Sequence, residues 1–104
     1  MKKNYSAVIL AYGAINDRML GLEHETTALG ILPSRRVVNW YNGSLDHDLD
    51  CSTEFNLEKS KNITIIGNGN IFCDMSRTLL KDPKLFEQTD MPMSAIELLR
   101  NSNV

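Results

Sequence analysis

Residues 62–80, NITIIGNGNIFCDMSRTLL, change periodicity within three residues, and that change restricts what the chain can fold into. Residues 62–66 are apolar and rich in β-branched side chains, which predicts a short strand. Gly67, Asn68 and Gly69 then demand a tight turn. Beyond them Ile71, Met75 and Leu79 recur every fourth residue, and Phe72 and Leu80 widen the apolar face. That spacing predicts a helix from Asn70 to Leu80. Strand, Gly-x-Gly and helix in this order form the layout that receives a dinucleotide pyrophosphate. Gly67 supplies backbone angles that a side chain penalises. Gly69 carries no Cβ, so a phosphate can approach the main chain. The first free N–H groups of the helix face the anion, and the helix dipole assists them. Asn70 adds a side-chain amide to the same turn. The third fingerprint position falls on Phe72, where a small residue normally lets helix and strand approach. The same residues also fit a plain strand-turn-helix with no ligand.

At 104 residues, one domain is the natural size. The formal charge of −2 gives no reason to expect nucleic-acid or anionic-membrane binding. Cys51 and Cys73 lie far apart with no CxxC spacing, which suggests a reducing compartment. No apolar run approaches the roughly 20 residues that cross a membrane. Residues 6–11, SAVILA, are continuously apolar and predict a strand covered on both faces, in preference to a signal-peptide core. Residues 19–27 read as a loop or short edge strand. Ser34 is placed to cap a short helix through Tyr41, with Val37, Val38 and Tyr41 on one face and Asn42-Gly43 as its stop. Arg35 and Arg36, in its first turn, suit either phosphate or solvent. Residues 44–61 are polar and acidic and read as a connecting loop, with room for one turn of helix near its end. Asp46, His47, Asp48, Asp50 and Cys51 match no closed metal pattern, so a solvated loop is expected and no metal site is assigned. Lys81-Asp82-Pro83 is a stop, and Asp90 is placed to cap a last helix through Arg100.

Four blocks of the sequence resemble the adrenodoxin reductase family, the NADPH-dependent, FAD-containing reductases of [2Fe–2S] ferredoxins. They are AVILAYG at 7–13, VVNWYNG at 37–43, the strand and helix at 65–80, and the Thr89 to Arg100 helix. The resemblance implies an α/β fold, a fragment of a doubly wound, Rossmann-like flavoprotein with two dinucleotide-binding domains. Residues 1–61 would end the FAD domain and make the interdomain connection, and residues 62–104 would begin the NADP domain. It implies NADP along Gly67, Gly69, Asn70 and Ile71, and FAD near Gly13. Trp40 and Tyr41 would lie at the hinge, with packing as their plain structural role. Asp74 and Arg77 match the family's helix residues and otherwise read as an i,i+3 ion pair.

No residue is assigned as catalytic, which agrees with cofactor-borne hydride chemistry. The implied partner is an adrenodoxin-like iron–sulfur protein. The implied location is the mitochondrion, with cytoplasm as the alternative because no targeting segment is visible. Phe72, and Glu23-His24-Glu25 where the family has Pro-Gly-Glu, depart from the pattern. The family's FAD fingerprint and its 2′-phosphate strand have no counterpart here. The chain is therefore expected to correspond to about a quarter of such an enzyme, to be marginal in isolation, and to lack reductase activity alone. The alternative function is a non-catalytic nucleotide-binding module or a degenerate interaction module.

Overall fold

The computed structural model describes residues 3–13, 16–45, 48–51 and 53–104. Its regular elements are α1 (Ser34–Tyr41), α2 (Asn70–Leu80), a 3₁₀ turn (Pro83–Phe86) and α3 (Met93–Arg100). Each α-helix lays one face on a shared core. Val37 and Trp40 come from α1, Met75 from α2, and Ala95 and Leu99 from α3. The remaining core side chains, Leu49, Phe55 and Leu57, come from the loop between α1 and α2. Leu57 is 1% exposed, so this acidic loop, expected to be solvated, supplies one of the most deeply buried residues. Trp40 meets Phe55 edge-on, with ring centroids 5.2 Å apart and planes at 70°, the arrangement that the ring quadrupoles favour.

The helix ends explain where the chain turns. Gly43 takes φ +63° just past α1. Its N–H reaches the Trp40 carbonyl at 3.1 Å, and the Ser44 N–H reaches the Asn39 carbonyl at 2.9 Å. This is the two-bond Schellman closure, and the expected Asn42-Gly43 stop is present. The expected caps at the N-termini are not. Ser34 is already the first residue of α1, Pro33 occupies the cap position, and no side chain caps the helix. In α3 the cap position is Pro92, and Asp90 lies outside the helix. Proline serves in both places because its fixed φ suits helix entry and it has no N–H to leave unpaired. Asp82 does cap, accepting from the Lys84 N–H at 3.0 Å at the start of the 3₁₀ turn.

The strand half of the expected α/β layout is not formed among the described residues. Residues 6–11 and 62–66 carry no sheet pairing. The expected cover on both faces of 6–11 is also absent: Ile9 is 87% exposed and Leu10 76%. The reason is physical. A strand exists only through a neighbour that accepts and donates its hydrogen bonds, and an isolated pair is marginal even when adjacent. Residues 62–66 fare better, since Ile63 and Ile65 pack partly against the core. The radius of gyration is 16.4 Å, against about 13 Å for a compact domain of this length.

Arg35 and Arg36 bind carboxylates. Arg35 makes a two-pronged bridge to Asp17, at 3.0 and 2.8 Å. Arg36 joins Asp48 at 2.9 Å and Glu54 at 2.8 Å. Hydrogen bonds from Arg36 hold the Asp48 and Glu54 carboxyls below their ordinary values. Carboxylates held low stabilise the fold fully above their ordinary range, and that contribution disappears as pH falls through and below 4.5. Arg36→Gln is therefore expected to flatten the acid limb of a stability-versus-pH curve. An acid limb as steep as that of the parent chain would show that the clamp contributes nothing. Asp46 and His47, two of the five residues weighed as metal donors, lie outside the described residues. Among the described residues no group of three or more His, Cys, Asp or Glu gathers in metal-binding range. No helix there is long and apolar enough to cross a membrane.

Candidate functional site

The turn from residue 66 into α2 has the geometry that its sequence demands. Gly67 adopts φ +136°, a region that L side chains avoid. Gly69 is the cap position of α2, extended at φ −100° and ψ −174°. A Cβ built on either glycine meets no heavy atom within 4 Å. The space over the turn is therefore open, and the Phe72 ring does not fill it. Phe72 is 36% exposed.

The first amides of α2 have no acceptor among the described residues. No side chain caps it, and its first turn holds no acidic residue. The first hydrogen bond of the helix, from the Cys73 N–H to the Gly69 carbonyl, is long at 3.4 Å. The amides of Asn70, Ile71 and Phe72 precede that bond and belong to the four that any helix leaves without an internal partner. Open space, two residues without side chains and uncapped amides at the positive end of a helix dipole make a surface suited to a phosphate or diphosphate.

Of the other predicted residues, Gly13 and Trp40 lie elsewhere. Gly13 sits at φ +68° in the exposed stretch after residues 6–11, and a Cβ placed on it would meet no atom within 4 Å. Trp40 is 5% exposed and faces the core. Ile71 is half-exposed beside the turn. Asp74 and Arg77 form no ion pair with each other among the described residues. A groove of about 790 Å³ runs between residues 17–34 and the 54–66 stretch, with Met75 and Val37 in its wall. It reaches Ile66 and stops short of the turn, so the anion surface is an open ledge and not part of the groove. The Cys51 thiol is pushed up by burial, which opposes the thiolate form that reactive cysteines use.

Sequence reasoning did not find the two carboxylate clamps on α1. No short-range spacing links Arg35 to Asp17 or Arg36 to Glu54. The signal available was compositional, an acidic loop on each side of an Arg-Arg pair.

Comparison with known proteins gives one consistent result. The chain is 40% identical over 104 residues to the probable mitochondrial NADPH:adrenodoxin oxidoreductase of Saccharomyces cerevisiae, covering 97% of this chain and 21% of that protein. It is 36% identical over 109 residues to the human mitochondrial NADPH:adrenodoxin oxidoreductase, covering all of this chain and 20% of that protein. The Arabidopsis thaliana protein of the same name is 36% identical over 100 residues, covering 96% of this chain and 20% of that protein. The chain thus spans about a fifth of the length of the curated relatives that it matches. No family model matches. No solved structure matches.

Proposed function

We propose, on the premise that this chain is a homologue of one segment of the NADPH:adrenodoxin oxidoreductases, that it supplies the NADP pyrophosphate ledge of a flavoprotein electron carrier. The observation that carries the proposal is the open, uncapped Gly67 to Ile71 turn at the head of α2. In this reading Gly67 sets the bend, Gly69 admits the phosphate, and the Asn70 and Ile71 amides donate to its oxygens. The Asn70 side-chain amide would add a further donor. Gly13 is the close-approach position for FAD, and Trp40 sits at the interdomain connection.

Hydride and electron chemistry belongs to NADPH and FAD when they are bound. This chain contributes placement: it fixes one end of the nicotinamide cofactor so that its other end is presented to the flavin. Electrons would then pass to an adrenodoxin-like iron–sulfur protein, and the mitochondrial names of the relatives support that location. The doubly wound α/β fold belongs to the same reading, in which residues 62–66 gain sheet partners from the rest of the flavoprotein. The division into 1–61 and 62–104 follows from it.

Calorimetric titration of the full chain with NADPH tests the ledge, with Gly69→Val run in parallel. The parent chain is expected to bind with roughly micromolar to millimolar affinity, about −8 to −4 kcal/mol. Gly69→Val is expected to weaken binding at least about tenfold and to lower the thermal melt only slightly, through the poorer N-cap. The backbone angles at Gly69 suit any L residue, and a Cβ there has open space. A flat titration of the parent chain would remove the nucleotide reading. Loss of stability in Gly69→Val with no change in affinity would mean that the bend is geometry alone.

A further inference from the structure

Residues 17–32 form one wall of the 790 Å³ groove, and they are held unlike the rest of the chain. Their large apolar side chains are mostly in water: Met19 is 51% exposed, Leu20 and Leu22 are each 59%, and Leu29 is 79%. Only Leu32, at the far end, packs against the core cluster. The segment instead has its own internal clip. The Glu25 carboxylate accepts from three successive amides, Leu20 at 2.9 Å, Gly21 at 2.8 Å and Leu22 at 3.2 Å. Positive φ at Gly21 (+78°) and His24 (+63°) curls the backbone around that carboxylate. Backbone bonds from Thr27 and Ala28 to the His24 carbonyl, at 3.0 and 2.9 Å, continue the same closed loop. The segment begins at Asp17, and there it is fastened to α1 by the two-pronged bridge to Arg35.

These observations describe a body that is stiff within itself and tied to the core at two points. One tie is apolar, at Leu32. The other is a partly exposed ion pair, the kind that contributes little and weakens in salt. We infer that residues 17–32 are a strap that swings as a unit about residues 31–33 when the Asp17–Arg35 latch opens, widening the groove along residues 62–66. Regions with few buried apolar contacts open at low free-energy cost without unfolding the core. Because Glu25 closes the loop on itself, the strap keeps its shape when it moves.

Two variants of the full chain separate the latch from the clip. Asp17→Asn is expected to lower backbone NMR order parameters across residues 17–32 together, from about 0.85 toward 0.6. The Leu20, Gly21 and Leu22 amides should keep their exchange protection. Raising the salt on the parent chain is expected to reproduce that loosening. Glu25→Gln is expected to cut the protection of those three amides at least about tenfold, with α1 and α3 unchanged. Order parameters in Asp17→Asn that remain equal to those of α1 would overturn the inference. So would loss of the clip's protection in that variant, because the segment would then fray and not swing. Unchanged protection in Glu25→Gln would overturn it as well.

Discussion

Trp40→Ala is expected to cost about 3–5 kcal/mol of folding stability, as read by circular dichroism in a denaturant titration. Trp40 is 5% exposed and sits where α1, the 49–57 loop and α3 converge. Truncation removes the edge contact with Phe55 and leaves a cavity between elements with no regular structure on one side. A fold of this size has roughly 5–15 kcal/mol to lose, so the cooperative transition is expected to shift far toward low denaturant or vanish. Trp40→Phe should recover a good part of the loss, since a smaller ring still meets Phe55. Trp40 is the only tryptophan in the chain, so fluorescence cannot follow the variant and dichroism is the proper measurement. A midpoint within the experimental error of the parent chain would show that the core is not built around this residue.

Gly43→Ala comes next, with an expected cost of roughly 2–4 kcal/mol. Two effects add. At φ +63° any Cβ is strained. The new methyl would also lie 2.5 Å from Pro92 Cγ, far inside carbon–carbon contact distance. The obstacle is a ring at the cap of α3 and not the free end of a flexible chain. A double-mutant cycle with Pro92→Ala separates the effects. Removing the ring should relieve the clash and leave the backbone strain, so Gly43→Ala should cost less in the Pro92→Ala background. Equal costs in both backgrounds would mean that the ring moves aside freely and that strain alone is felt.

How much of this was legible in the sequence depended on the range of the physics involved. Helix α2 could be read because Ile71, Met75 and Leu79 encode their own period; Met75 is buried and Leu79 packs partly on the core, but Ile71 and Leu80, read onto the same apolar face, are 50% and 77% exposed. The stop of α1 could be read because an Asn-Gly pair sets local dihedral angles. The starts of α1 and α3 were misplaced by a residue or more. Ser34 and Asp90 have the chemistry of caps, but prolines one residue before Ser34 and two after Asp90 took the position. The contribution of Leu49, Phe55 and Leu57 could not be read, because a loop that folds back on a core has no period. The strands fared worst. Residues 6–11 have the composition of a buried strand, but burial and pairing are supplied by neighbours, and composition does not name them.

The candidate site divides in the same way. The conformations of Gly67 and Gly69 are local, and the sequence reading of the turn agrees with the geometry. Whether Phe72 crowded the ledge was a question of rotation about a helix axis, and the open space above both glycines answers it. The latch between Asp17 and Arg35 joins segments with no spacing rule between them, so only three-dimensional structure brought it out.

The Pro92 ring resting over Gly43 also carries a kinetic consequence. The exit of one helix and the entry of another, nearly half the chain apart, fit together like key and keyway. A long loop must close before that fit is made, and loop closure is the slow part of such a search. Helical turns can flicker into existence early, but their mutual angle is fixed only when this distant pair meets. That fit is one of the long-range contacts whose loop-closure cost must be met before the core is complete.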